Sequence, residues 1–451
     1  MPTPRFVTNT QFGAPGVYVR ERATPVAVSG LATNVIGVAG TCTRGPATTP
    51  TRVSSFGEFL EIFGGRDYGV TGDPVRSEVW RALVAKSFGP LVISRVVAAT
   101  GSATAERDFS DGVPTAIINI AATSPGAWGN GITATIADAS DGNANHFNLA
   151  VSWNGTTQTY KNLDTTAGNN NLLAVIGAFD SNPSNLVVVT KIADGRPVNI
   201  TDQALDDTAG ADGTLADSDF TATDGPLDTL ANHRDSVTGL PLKAVFVAGR
   251  STSAVKSTLN TLAAASNDRV FLACPDNETT SKTAAITEVQ GFTRDDRLVY
   301  CFNHTRILDP ETAELMWVEP HGWLASILSQ RDDDVHPGDA DNAAFLAAVT
   351  ELAHPALTVG DYDSFTEQGI AALERTPDGV VFVDAPSTAQ EQLADGQPVS
   401  LEVWNGWSLR TRRIVRDAFG LLNDAPREEL DDFLATAFPE DNAENADAEI
   451  A

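Results

Sequence analysis

The chain has 451 residues and sets 59 Asp and Glu against 30 Lys and Arg, a formal charge of −29 at pH 7. Its length predicts about two to four domains, and its 42 % hydrophobic content is too high for a wholly disordered chain. No run approaches the roughly 20 apolar residues that a membrane-crossing helix needs, which argues against membrane insertion, and a charge this negative repels nucleic-acid phosphates.

The kind of charge says more than its sum. Of the basic residues 24 are Arg and only 6 are Lys, while Asp, Thr and Ala are abundant. Short acidic side chains with few lysines suit solubility in concentrated salt, where screening shrinks the Debye length to about 3 Å at 1 M. An acidic mesophilic protein is the plainer alternative. Cys42, Cys274 and Cys301 form no close pair, so neither a disulfide scaffold nor a zinc site is expected, and buried free thiols are. The opening Met1-Pro2-Thr3-Pro4-Arg5 lacks the apolar stretch of a secretory signal, so export by that route is not expected.

Residues 1–28 are polar and rich in Pro and Gly, with strand character only around Gly16-Val17-Tyr18-Val19; they predict an extended N-terminal arm. Residues 29–102 read as the first part of an α/β core domain, a mixed sheet with flanking helices. Asn34 to Gly40 and Leu91 to Val97 look like buried strands. Ser55 to Gly65 reads as a helix with a serine cap and a double-glycine stop, and Pro74 to Phe88 as a second helix. Residues 103–225 change to Thr, Asn, Gly and Asp with short alternating runs such as Ile132 to Ile136 and Phe147 to Val151. They predict an inserted, mostly β, outward-facing domain. Asp141-Gly142, Asn154-Gly155 and Asp194-Gly195 within it have hairpin-turn chemistry. Residues 226–438 return to the α/β pattern, with strands expected at Ala244 to Ala248, Val270 to Cys274 and Arg297 to Phe302. Residues 439–451 read as an acidic C-terminal tail.

Signs of chemistry are sparse. His304, Asp309, Glu314, Glu319, His321, Asp332, Asp333, Asp334 and His336 combine imidazoles with carboxylates, yet none stands at metal-ligand spacing, and an Asp run usually marks a solvated loop. Neither a phosphate-binding glycine loop ending in Lys-Ser/Thr nor a Gly-Xaa-Ser-Xaa-Gly elbow occurs. No catalytic residue, metal or cofactor is expected. Trp128, among Gly126, Gly129 and Gly131, is expected to anchor a core with its indole N–H on a backbone acceptor.

Several segments together resemble one family. Gly13-Ala14-Pro15-Gly16-Val17-Tyr18-Val19-Arg20-Glu21, Asn34 to Gly40, Arg44-Gly45-Pro46, and Phe56-Gly57-Glu58-Phe59 with Phe63-Gly64-Gly65 resemble the opening of contractile tail sheath proteins. Ser124-Pro125-Gly126-Ala127-Trp128-Gly129-Asn130-Gly131 is similar to that family's Pro-Gly-Xaa-Trp-Gly-Asn motif. Leu324-Ala325 to Asp332, His336-Pro337-Gly338-Asp339-Ala340 with Asn342, Gln368-Gly369-Ile370 and Arg412-Arg413 fit its later segments, in order over residues 13–420.

The resemblance implies a structural subunit that polymerises as stacked hexameric rings around an inner tail tube protein. Contraction would drive that tube through a target envelope by rearranging interfaces between copies. Baseplate and tail terminator proteins would be further partners, with no nucleic acid and no direct membrane insertion, and the virion tail, assembled in the host cytoplasm, would be its location. A sheath of a non-viral contractile injection system is the near alternative; an acidic halophilic enzyme or surface protein is the alternative from another class. Within that reading Val17, Tyr18, Val19 and Arg20 are candidates for an arm that adds a strand to a neighbour's sheet, a frayed terminus being the plain alternative. Family members commonly finish with an apolar strand, whereas Asp441 to Glu449 is a poor one, so the N-terminal half of the interlock is the half expected here. Ser408 to Leu422 reads as an amphipathic helix whose Arg412, Arg413 and Arg416 oppose an apolar face; these arginines either meet acidic groups on a tube or pair with the chain's own carboxylates.

Overall fold

Alternation with period two sets the layers of this protein, because each strand of its main sheet sends successive side chains into two different cores. A computed structural model of the chain describes residues 5–6, 18–19, 35–65, 90–330 and 349–388, with short breaks at 48, 113–114, 178–182, 238, 240, 267–268, 294, 296, 309–312, 377–378 and 383–387. The helix expected at Pro74 to Phe88 lies outside the described residues, as do the helix at 408–422 and the acidic tail.

With strands numbered in chain order, the main sheet holds β3 (Ile36–Gly40), β4 (Thr51–Val53), β5 (Leu91–Arg95), β15 (Ala244–Val247), β16 (Val270–Ala273), β17 (Leu298–Phe302), β21 (Ile370–Thr376) and β22 (Gly379–Phe382). Their order across the sheet is β22-β21-β17-β16-β15-β3-β5-β4. The inner strands from β21 to β5 are parallel, and β22 and β4 close the two edges antiparallel. The strands expected from apolar runs are all present, one or two residues shorter, because only backbone within reach of a neighbour joins the ladder.

Ile36, Val38, Leu91, Ile93, Phe246, Leu272 and Cys301 point into one core, which α1 (Phe56–Phe63), α7 (His321–Gln330) and a small sheet cover. That sheet has the order β19-β18-β20, with β18 (Thr305–Leu308), β19 (Leu315–Val318) and β20 (Val349–Leu352). Val35, Ala39, Val92, Val245, Phe271, Leu298 and Tyr300 point the other way. They meet α3 (Ser218–Thr221), α4 (Pro226–Asn232), α5 (Ser253–Ala265), α6 (Lys282–Gln290) and α8 (Val359–Glu367). The α1 helix begins as its sequence indicates: Ser55 Oγ accepts the Glu58 N–H at 3.2 Å, and Gly64, at φ +75°, ends it.

Between β5 and β15 the chain builds a β module with its own apolar cluster. β6 (Ser102–Ala103) and β14 (Ala211–Asp212) pair antiparallel, so the chain leaves the main sheet and returns to it at one neck. Beyond the neck stand a four-stranded sheet, β11-β10-β9-β13, and a three-stranded one, β12-β8-β7. Their strands are β7 (Glu106–Ser110), β8 (Ala116–Ala122), β9 (Thr133–Asp138), β10 (His146–Trp153), β11 (Thr156–Asp164), β12 (Val187–Lys191) and β13 (Ile200–Ala204), with the short α2 (Leu172–Ile176) beside them.

Asn154-Gly155 closes the β10–β11 hairpin with φ +45° and +77°, the positive values a tight two-residue turn requires. Asp194-Gly195 behaves differently. It links β12 to β13, which belong to different sheets, with Gly195 at φ +146°. Dipeptide chemistry specifies a bend, but which strand pairs with which follows from the faces that need covering.

At the α8 N-terminus the Asp361 carboxylate accepts the Thr358 N–H and Oγ–H, each at 2.9 Å, and pairs with Lys282 of α6. The Lys282 hydrogen bond, then those from Thr358, hold its pKa down to about 2. A depressed carboxylate pKa stabilises the fold fully above about pH 4, and that contribution fades as pH falls through the folded value. The expected outcome is that Asp361→Asn is less stable than the parent at pH 6 in urea melts. The gap should close as pH drops from about 4 towards 2.

Candidate functional site

Of the arm residues singled out by sequence, Tyr18 and Val19 form β2 (Tyr18–Val19), which pairs in parallel with β1 (Arg5–Phe6) through Arg5 to Tyr18 and Phe6 to Val19. Val17, Arg20, Arg412, Arg413 and Arg416 lie outside the described residues. So do Asp309, Asp332, Asp333, Asp334 and His336. His304, Glu319 and His321 are buried, and His321 sets its Nε2 2.6 Å from the Val247 carbonyl. Among the described residues no group of three or more His, Cys, Asp and Glu side chains is placed to hold a metal. Cys42, Cys274 and Cys301 are buried free thiols, and burial pushes Cys42 up to about 12 and raises the other two well above the ordinary thiol range.

Two motifs some eighty residues apart in the chain do converge, at the junction of the sheet and the β module. Arg95, the last residue of β5, is 4 % exposed. Its Nε donates to the Cys42 carbonyl at 3.1 Å, and Nη1 to that of Gly45 at 3.1 Å. Nη2 reaches the carbonyls of Thr43 at 3.4 Å and Pro125 at 2.8 Å. One guanidinium thus ties the loop after β3 to Pro125 of the tryptophan motif. Burial pushes its pKa down to about 10, still far above neutrality, so the group stays charged.

Arg44 makes the second tie. It donates to the Glu61 carbonyl and to that of Ser184 at 3.4 Å, and its Cζ lies 5.8 Å and 5.3 Å from the ring centroids of Trp128 and Trp153. The two indoles meet edge to face at 5.4 Å. A cation over the buried Trp128 and partly buried Trp153 rings gains from their negative faces, although burial brings the Arg44 pKa down to about 10. Next to it, the Gly45 N–H donates to Ser124 Oγ at 3.2 Å; Gly45 sits at φ +106°, and a Cβ there would stand 2.7 Å from the Phe63 ring.

The tryptophan motif has the anchoring role its composition suggests. Trp128 is buried and its Nε1 donates to the Ser124 carbonyl at 3.1 Å, while Trp153 Nε1 donates to the Trp128 carbonyl at 3.1 Å. Asn130 exchanges two hydrogen bonds with the Gly210 backbone, at 3.0 and 2.7 Å, and Asp212 accepts the Ala127 N–H at 3.0 Å. The motif is therefore fastened both to the sheet loop and to the returning strand of the neck. The motifs are visible in the sequence, but Arg95 as their link is not; its one sequence signal is a lone arginine inside the apolar run Leu91 to Val97.

No family model matches the chain, and no curated protein matches it. Its fold has counterparts among solved structures. A sheath tail protein from Desulfitobacterium hafniense is 14 % identical, with a TM-score of 0.53, over 90 % of this chain and 82 % of that one. A sheath tail protein from Listeria innocua is 13 % identical, with a TM-score of 0.54, over 87 % of this chain and 78 % of that one. The chain shares the fold of sheath tail proteins across most of its length, as its motif order indicates.

Replacing Arg95 by Met strips four carbonyls of their buried donor, which costs about 3–5 kcal/mol by analogy with breaking other buried charged networks. Urea unfolding followed by tryptophan emission should show that loss. The indoles at the junction should also emit further to the red in the folded variant as water reaches them.

Proposed function

We propose that this chain is the subunit of a contractile tail sheath. Copies stack as hexameric rings around an inner tube, and a change in the contacts between copies shortens the stack and drives the tube through a target envelope. The observation that carries this reading is the fold, shared over nine-tenths of the chain with a protein described as a sheath tail protein. Contraction of this kind needs interfaces with two stable packings, not a chemical fuel.

Two features suit the task. A subunit that transmits force must not yield internally, and the Arg95 and Arg44 ties couple its sheet to its β module through buried, charge-assisted contacts. Copies must also remain linked while they slide. Val17, Tyr18, Val19 and Arg20 belong to an arm in which two-residue strands pair with each other. Among the described residues this pair joins no other strand; a pair that short is marginal, so the same backbone groups can be exchanged for the edge of a neighbour's sheet. Arg412, Arg413 and Arg416 face the tube in this reading. Ion pairs exposed at such a face, each worth about 0–1 kcal/mol, would hold without preventing release. Baseplate and tail terminator proteins complete the assembly in a virion tail put together in the host cytoplasm.

Negatively stained, concentrated protein should show tubes or long sheath-like polymers, and deletion of residues 1–20 should leave the circular dichroism of the subunit unchanged while abolishing ordered polymer. A parent chain that stays monomeric across a salt series sinks the sheath reading; unaltered polymers after the deletion sink the role of the arm. Reversing Arg412, Arg413 and Arg416 to Glu should weaken co-sedimentation with the tube protein at low salt and change the melting temperature little. A variant that instead unfolds places those arginines in the subunit's own structure.

A further inference from the structure

The order of the main sheet reverses beside β3. From β3 the chain reaches β5 on one side, then returns to lay β15, β16 and β17 on the other. In open parallel sheets such a reversal parts the loops beyond the carboxyl ends of the strands and leaves a crevice suited to a ligand. In this protein that crevice is a cavity of about 360 Å³. Residues 41–43 after β3, Arg95 at the end of β5 with 96–98 beyond it, and Arg250 after β15 line it from the sheet; Pro125, Trp128 and residues 212–215 line it from the β module and its neck.

We propose that this cavity is a binding site for a small organic monoanion, a carboxylate carried on an apolar body. Its size falls within the range of about 300–1,000 Å³ typical of small-molecule sites, and such sites favour domain junctions and strand-order reversals. Its lining carries the two guanidinium groups of Arg95 and Arg250 against the single carboxylate of Asp212. Asp217 takes the Nε of Arg250 at 2.7 Å, and the Phe220 ring lies 5.6 Å from its Cζ. Among the described residues the two terminal nitrogens of Arg250 donate to no other group, which leaves the fork that holds a carboxylate in parallel bonds. Trp128, Val97 and Leu215 supply apolar surface for the remainder of the ligand. Arg95, held by carbonyls on the loop after β3, adds positive potential without having to move. The site lies within one copy of the chain, so it stands or falls independently of the sheath reading.

Benzoate is a suitable probe and benzamide its neutral counterpart. Calorimetric titration of the full chain should give saturable binding of benzoate, a raised melting temperature and altered tryptophan emission, with benzamide much weaker. Arg250→Gln should weaken benzoate binding by about tenfold, the effect of losing one charged donor pair. Thr214 is exposed at the cavity, so Thr214→Trp should block the probe without touching either arginine. It reads the site even if Arg250→Gln disturbs Asp217. No saturable heat up to about 10 mM benzoate overturns the proposal. Benzamide binding as tightly as benzoate, or benzoate binding unchanged by Thr214→Trp, overturns it equally.

Discussion

A charge almost wholly removed from water, the Arg95 guanidinium, holds the carboxyl end of the sheet in shape. Taking such an ion from water costs several kcal/mol, recovered only while good acceptors surround it. Here those acceptors are backbone carbonyls from two parts of the fold, Cys42, Thr43 and Gly45 on one side and Pro125 on the other. The loop after β3 therefore cannot relax without stranding the charge. Its fixed course in turn presents Arg44 to the two indoles and Gly45 to Ser124. The cavity at the strand-order reversal takes its form from the same loop, so the stiffness of the junction and the shape of the pocket share one cause.

The acidity of the chain bears on assembly in the opposite direction. At a formal charge of −29, copies repel one another wherever ionic strength is low. Strand exchange through backbone groups is indifferent to that repulsion at contact, while approach is not, and salt lowers the barrier by shortening the reach of the field. In the proposed sheath, cohesion would therefore come from hydrogen-bonded edges and apolar contact, with arginine contacts a minor, salt-sensitive part. The neutral, buried cysteine thiols stay out of this chemistry, because burial keeps them protonated.

Much of the core was legible in the chain itself. Runs such as Val270 to Cys274 mark strands covered on both faces, and Ser55 and Gly64 bracket α1 through cap chemistry that acts within a few residues. Trp128 could be read as an anchor because an indole among glycines needs close backbone and an acceptor for its N–H. Asp194-Gly195 shows the limit. Its chemistry specifies a bend, yet the strands it joins lie in different sheets.

What residues near one another in the chain can settle, the sequence determined alone: where the core strands and the capped α1 helix lie, and which side chains alternate towards each face. Strand order and the convergence of Arg44, Arg95 and the tryptophan motif were decided only in the folded molecule. Backbone ladders pair any strand with any other, so order follows from how crossing segments pack. A lone arginine in an apolar run does not announce which distant carbonyls will turn towards it.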